Sequence, residues 1–409
     1  MRFNTALLHG GFSADGKTGA TTIPIYQSSA FEQETAEKLE NIFNGREPGF
    51  VYTRINNPTI EAFEKRISFL EGGVGAVACS SGMAAVTLAL LNITKSGEEI
   101  VSGSGIFGGT YSLFSCFEDL GITVKYAGDN TIESFRENIN DRTRAIFVET
   151  IGNPKLDVYD IKALSDLAHS HGIPLIVDNT VTTPYLVKPL QLGADIVIHS
   201  TSKYINGSGN SIGGIIVDGG KFKWDFDKFS SLNPYKKFGG FVYLAKLRKT
   251  LFKDFGSCMS PFNAYLSSLG LETMALRMDR LCSNALKLAK TLQDHPKITA
   301  VNYPGLEGSK DYEVSKRQFG DKFGAIITIR VGSKEKAFKV INSLKYAYNL
   351  SNIGDVRTLV IHPASTIYAT NTVEEMEKMG VYDDLIRISV GIEDFEDLKE
   401  DFEQALENI

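Results

Sequence analysis

Cysteine is scarce in this 409-residue chain. Cys79, Cys116, Cys258 and Cys282 stand far apart, with no C-x-x-C spacing. That argues against a disulfide frame or a zinc site and fits reduced thiols in a cytoplasmic protein. There is no basic block, and 43 Lys and Arg against 49 Asp and Glu leave a net charge of −6. Neither a nucleic-acid partner nor an anionic membrane is expected. The opening MRFNTALLHGGFSADG lacks an apolar core of signal-peptide length. One stretch, residues 72–94, is free of charge over a bilayer-spanning length. It holds Gly72, Gly73, Gly75 and Gly82 with Ser80, Ser81 and Asn92. It therefore reads as a buried strand (GAVAC), a Ser-Ser-Gly turn and a buried helix (MAAVTLALLNI).

What is present is enough apolar material for a large core: 43% of residues are hydrophobic and 22% charged. The length predicts two domains. Residues 1–55 are rich in loop formers and read as an extended arm that packs on another surface, such as a neighbouring subunit. Over about 56–254, short apolar runs (GAVAC, EEIVS, ITVKY, RAIFVET, IPLIVDN, ADIVIHS, GGIIVD) alternate with amphipathic stretches such as IKALSDLAHSHG. That alternation predicts an α/β domain with a mostly parallel sheet covered on both faces. From about 255 to 409 a long helical region leads into AIITIRV and LIRISVG, which predicts a smaller α+β domain.

In such sheets chemistry collects at the carboxyl ends of the strands. Four ends stand out. Ser80-Ser81-Gly82 stops a strand and opens a helix, so its free amides can cradle an anion, although a plain serine cap is the commoner meaning. Asp178 ends IVD, where a buried carboxylate needs a cation or proton donor; a turn aspartate explains it equally well in isolation. Lys203 follows the next strand beside Ser200, Thr201 and Ser202. Desolvated there, its amine becomes nucleophilic, whereas most lysines are simply solvated. Arg387 sits inside the apolar run LIRISVG, where its fork suits a substrate carboxylate or an internal salt bridge. Together the four supply an acid, an amine, a phosphate cradle and a carboxylate clamp. That set fits pyridoxal phosphate, with the lysine as Schiff-base partner and the aspartate on the pyridine nitrogen.

A competing motif is GSGIFG at 103–108, a G-x-G-x-x-G between a short run and a helix-like stretch, with Asp129 after the next run. This is the context of a dinucleotide fingerprint, and it makes an NAD-dependent oxidoreductase the distant alternative. Against it, only Ile100 and Val101 give the preceding run apolar character, which predicts too thin a strand for a sheet interior.

The chain resembles the Cys/Met-metabolism family of pyridoxal-phosphate enzymes, with the aspartate-aminotransferase-like (fold type I) architecture. The likeness is carried in order by YTRINNPT (52–59), SSGMAA (80–85), VETIGNP (148–154), VDNT (177–180), HSTSKYINGSG (199–209), SPFNAYLSSLGLETMALRM (260–278), NIGDVRTLVIHPAS (352–365) and IRISVGIED (386–394). NSIGGIIVDGGKF and NIGDVRTLVIHPAS look most like the O-acetylhomoserine sulfhydrylase branch. The resemblance implies that Lys203 holds the cofactor and shuttles protons, and that Asp178 pairs the ring nitrogen. It implies that Gly82, Met83, Ser200 and Ser202 bind the phosphate, while Tyr52 and Arg54 reach the phosphate of an adjacent subunit. Tyr52 is implied to take part in catalysis. Asn153 would contact the pyridine oxygen, and Arg387, with Asn352 nearby, the substrate carboxylate. The implied assembly is a homotetramer of catalytic dimers. The implied reaction is homocysteine synthesis from O-acetylhomoserine in methionine biosynthesis, with cystathionine γ-synthase and methionine γ-lyase as alternatives. Sulfide, a thiol or sulfur on a carrier protein remain open as donors, as do acetyl, succinyl and phosphoryl esters as substrates.

The sequence departs from that pattern at three places. Phe107 stands where many members carry a ring-stacking tyrosine. Stacking survives but the phenolic proton is lost. Acetate leaves with little help, whereas a thiolate gains more from a general acid, so Phe107 favours ester substrates. Tyr111 is expected as a possible substitute acid. Gly109 stands where methionine γ-lyases tend to carry cysteine, and Ser208 where relatives often have histidine.

Overall fold

In the computed structural model, which describes every residue except Lys17, the apolar runs become strands of two sheets. The larger contains β1 (Gly75–Cys79), β2 (Glu99–Ser102), β3 (Thr123–Tyr126), β4 (Thr143–Glu149), β5 (Leu175–Asp178), β6 (Ile196–Ser200) and β7 (Gly214–Asp218). Their spatial order is β1-β7-β6-β5-β4-β2-β3. From β6 to β3 all neighbours run parallel, while β7 runs antiparallel to both β6 and β1. The interior strands are buried on both faces, so they read as unbroken apolar runs.

The smaller sheet contains β8 (Ala300–Asn302), β9 (Ile326–Arg330), β10 (Tyr348–Asn349), β11 (Leu359–Ile361) and β12 (Leu385–Ser389), in the order β10-β11-β12-β9-β8. Its central strand is β12, every residue of which is buried. Most buried apolar side chains of the two sheets and their helices form one continuous cluster, beside a small second one of Ala364, Tyr368, Met379 and Val381. Cutting the chain near residue 254 would therefore open a shared core.

Five helices matter for the site: α1 (Phe3–His9), α2 (Ala36–Phe43), α3 (Pro58–Glu71), α4 (Gly82–Leu91) and α5 (Gly108–Asp119). Asn57 caps α3 by accepting from the Thr59 amide at 2.9 Å, Pro58 opens the helix, and Gly72 closes it at φ +80°. Residues 72–94 fold as the sequence predicts, into β1, a turn and α4. The N-terminal stretch differs from a uniform arm. Residues 3–9 form a helix whose Ala6 and Leu7 join the main core, and Arg66 holds the Leu7 carbonyl. Beyond it, α2 buries no residue at all, and few side chains between 10 and 55 are buried.

Candidate active site

All of the sequence-predicted site residues except Tyr52 and Arg54 line one cavity of about 740 Å³ at the carboxyl ends of the parallel strands. The floor comes from the larger sheet, and the far wall comes from Asn352 and Arg387 on the smaller sheet's side.

One end of the cavity is an anion cradle. Ser81 caps α4 by accepting from the Ala84 amide at 3.1 Å, which leaves the Gly82 and Met83 amides at the helix mouth. A Cβ on Gly82 would lie 2.6 Å from Ser200 Cβ, so glycine alone lets the helix start come this close. Ser200 donates its amide to Thr180 Oγ1 at 2.7 Å, and Ser202 Oγ accepts from the Gly213 amide at 2.9 Å. These bonds place two hydroxyls beside the open helix start.

The middle of the cavity carries the ionisable groups. One Asp178 oxygen accepts from the Thr180 amide at 3.0 Å and from its hydroxyl at 2.5 Å. Burial pushes this carboxyl up, with only the Thr180 bonds and the more distant His199 opposing. Lys203, in the turn after β6, donates to Asn352 Oδ1 at 2.5 Å. Burial, and then the like charge of Arg387, pull its amine down to about 8. Roughly a tenth of the amine is then neutral at pH 7, and the neutral form is the nucleophile.

Arg387 occupies the far end. It is 3% exposed, and its Nη atoms donate only to neutral oxygens, Asn153 Oδ1 at 3.2 Å and the Asn352 carbonyl at 3.0 Å. Its Nε has no acceptor, and no described carboxylate pairs with it. Burial pulls the guanidinium down to about 10. The internal salt bridge is therefore absent, and an anion from solution is what this fork lacks.

Phe107 also lines the cavity. A Cβ on Gly109 would lie 2.5 Å from the Phe107 ring, so a side chain at 109 would move that ring. Tyr111 does not meet the expectation of a substitute acid. It stacks on Tyr126 at 5.3 Å, packs beside Tyr368 and its apolar neighbours, and is no part of the cavity wall. Phe107 precedes α5 in non-helical backbone, so the shared face of residues four apart in a helix does not extend to it, and Tyr111 lies a turn further along α5. Ser208 is exposed, and its carbonyl accepts from Arg357 at 3.0 Å.

The GSGIFG run needs two corrections. β2 is a fully buried interior strand between β3 and β4, so the expectation that it is too thin fails; Glu99 and Ser102 are buried alongside Ile100 and Val101. Strand, loop and helix follow one another as a dinucleotide site would require. The loop is nonetheless filled from its own chain. Gly103 packs against Tyr159, and the Gly105 amide donates to the Tyr159 hydroxyl at 3.3 Å. The Phe107 amide donates to Glu149 at 2.7 Å, so a buried carboxylate stands where a pyrophosphate would sit. Asp129 is tied to Thr131 in an exposed turn. Close packing explains the glycines.

Tyr52 and Arg54 lie in a separate shallow cleft with Cys258 and Pro261. Tyr52 is 44% exposed, and Arg54 reaches the Lys253 carbonyl and lies 5.5 Å from the Tyr52 ring centre. Among the cavity residues without a role in the sequence analysis are Glu149 and Thr180. Glu149 ends β4 and Thr180 follows Asp178. Both could have been found by the strand-end rule that found Asp178, applied to RAIFVET and to the second residue after the strand.

The cavity fits pyridoxal phosphate on the donor set alone: a cradle that only glycine permits, a buried carboxyl lacking a cation, a desolvated amine, and a guanidinium with no anion. Comparison with known proteins agrees. The Cys/Met metabolism PLP-dependent enzyme family matches residues 4–407. The chain belongs to that family. It is 44% identical over 426 residues to the O-acetyl-L-homoserine sulfhydrylase of Leptospira meyeri, covering 99% of this chain and 96% of that one. It is 41% identical to the homocysteine synthase of Schizosaccharomyces pombe, over 99% and 98% of the two chains. A candidate O-acetylhomoserine (thiol)-lyase from Campylobacter jejuni, solved with a pyridoxyl-lysine phosphate, superposes with a TM-score of 0.95 at 32% identity over the whole of both chains. The fold is thus that of the pyridoxal-phosphate enzymes, and pyridoxal phosphate is the family's cofactor. Among the described residues no helix is long and apolar enough to cross a membrane.

Proposed function

We propose that this family member makes homocysteine and acetate from O-acetylhomoserine and sulfide, a γ-replacement serving methionine biosynthesis. The observation that carries the reading is the conjunction of Lys203 and an anion-free Arg387, both joined to Asn352 in one cavity. The names of the relatives, all at 39–44% identity over nearly the whole chain, support this substrate pair.

The residues divide the work by position. The Gly82 and Met83 amides with Ser200 and Ser202 would hold the cofactor phosphate, Asp178 the ring nitrogen, Asn153 the ring oxygen, and Lys203 the aldehyde carbon. Bound there, pyridoxal phosphate supplies an electron sink for charge released next to the substrate's amino group. Arg387 binds the substrate carboxylate through its planar fork, and Asn352 keeps that fork and Lys203 in register. The Lys203 amine, once free, would take the proton from the substrate's α carbon, pass it to the carbon from which the amine was released and, neutral again, take one from the β carbon. Phe107 closes one wall with a ring and offers no acidic proton, which suits a leaving group as weakly basic as acetate. This favours esters over the thioethers of cystathionine γ-synthase or methionine γ-lyase chemistry.

Tyr52 and Arg54, remote from their own cavity, are assigned to the phosphate end of a neighbouring subunit's site, with residues 1–55 as the arm that carries them. A homotetramer of such dimers in the cytoplasm completes the reading, with residues 56–254 and 255–409 as the two domains. The test is a steady-state panel of acetyl, succinyl and phosphoryl homoserine against sulfide, methanethiol, cysteine and a thiocarboxylated carrier protein. Fastest turnover of the acetyl ester with sulfide is expected. A yellow protein bleached by borohydride is expected with it. A colourless protein that turns over none of the esters would end the proposal.

A further inference from the structure

Glu149 is a buried carboxyl that the reaction above leaves unused. It ends β4 in register with Asp178 at the end of β5, so adjacent parallel strands present two acids to the same cavity. It is 5% exposed. One of its oxygens accepts from the Phe107 amide at 2.7 Å, on a loop 42 residues earlier in the chain. We propose that Glu149 is a positioning residue: its carboxyl ties the Phe107 loop to the end of β4, directly beside the end of β5 that carries Asp178. The ring that would stack on the cofactor and the acid that would meet its nitrogen are thereby held as one unit.

The inference rests on the pyridoxal phosphate reading above and deepens it. Phe107 is the residue just before α5, where the backbone leaves the loop, and its amide is one of the donors that a helix start leaves without a partner. Glu149 supplies the acceptor, and no described cation pairs with it. Burial first, and Asp178 second, push its carboxyl well above the usual range. Protonated, Glu149 would still accept from the amide and would leave any negative charge of the pair on Asp178, facing the ring nitrogen. An ionised Glu149 would compete with Asp178 for that cation, because two like charges on neighbouring strands repel strongly in a dry site.

The test compares Glu149→Gln, Glu149→Ala and Glu149→Asp in the full chain. Gln keeps the carbonyl acceptor without charge. Ala removes the tie, and Asp retracts it by one methylene. In cofactor-free protein, hydrogen exchange of the segment around Phe107 is expected to quicken in the Ala and Asp variants and to stay unchanged in Gln. In loaded protein, the Ala and Asp variants should shift the absorption band of the bound cofactor. They should also weaken its dissociation constant roughly tenfold, in line with the cost of misplacing active-site groups. Glu149→Gln should restore both. Exchange, band and affinity unchanged in Glu149→Ala would overturn the proposal, and so would Glu149→Gln behaving like Glu149→Ala. If wild-type protein bound no cofactor, the functional reading would fall, while the exchange experiment would still judge the tie itself.

Discussion

Replacing Arg387 with methionine should nearly abolish activity without destabilising the cofactor-free protein. Arg277, a second buried arginine, sets the scale. Arg277 donates to the carbonyls of Tyr204 at 2.7 Å, Ile205 at 3.1 Å and Gly270 at 2.7 Å, and to Thr273 Oγ1 at 3.3 Å. Arg387 satisfies only Asn153 Oδ1 and the Asn352 carbonyl, and its Nε is orphaned. Burial pulls both guanidinium groups down to about 10, so relief of desolvation on substitution should be similar for the two and cancel in the comparison. The difference is two stranded acceptors, at about 1–3 kcal/mol each. Arg277→Met should therefore be less stable than Arg387→Met by roughly 2–6 kcal/mol in denaturant unfolding, and Arg387→Met should lie within about 1 kcal/mol of wild type or above it. Truncating one side of a buried, hydrogen-bonded charge pair costs about 2–5 kcal/mol, so kcat/KM for the ester should fall by roughly 30- to 4000-fold. The reasoning fails if Arg387→Met loses as much stability as Arg277→Met, or if kcat/KM falls by less than about tenfold.

Lys203→Ala should eliminate turnover with every ester and the borohydride-sensitive yellow band; residual turnover would show that another base acts. In cofactor-free protein, acylation of Lys203 followed by mass spectrometry should rise with pH about a midpoint near 8, because burial disfavours the charged amine. Arg387→Met should move that midpoint upward, since loss of a neighbouring cation makes the protonated amine easier to hold; a downward shift would contradict the assignment. Phe107→Tyr should raise elimination from methionine by roughly a hundredfold relative to wild type, the scale of a gained general acid, with little change on O-acetylhomoserine. A wild-type enzyme faster on methionine than on the ester would refute the leaving-group argument.

The strand-end rule made much of the site legible. Asp178, Lys203 and Arg387 could be picked out because each polar residue interrupts or ends an apolar run, and burial makes such interruptions costly unless something binds them. Glu149 obeys the same rule, as the polar residue that ends the apolar run of RAIFVET. β2 was underestimated because two of its four buried residues are polar: Glu99 takes Lys125 at 2.8 Å and Asn140 at 2.8 Å, partners that lie far along the chain. Tyr111 misses the cavity because Phe107 stands just before the helix, so the spacing of four between them does not put the two side chains on one helix face.

Local order came from the chain itself: where strands and helices begin, which turns need glycine, and which ionisable side chains sit at strand ends. These follow from short-range sterics and from the pattern of apolar residues, and both are written in consecutive positions. The meeting of Arg387 with Asn153 and Asn352, the lack of any carboxylate beside it, the side-by-side placement of Glu149 and Asp178, and the filling of the GSGIFG loop by Tyr159 were decided only by folding. Each depends on groups brought together across tens to hundreds of residues, where the cost of closing the chain is met by one shared core rather than by any local preference.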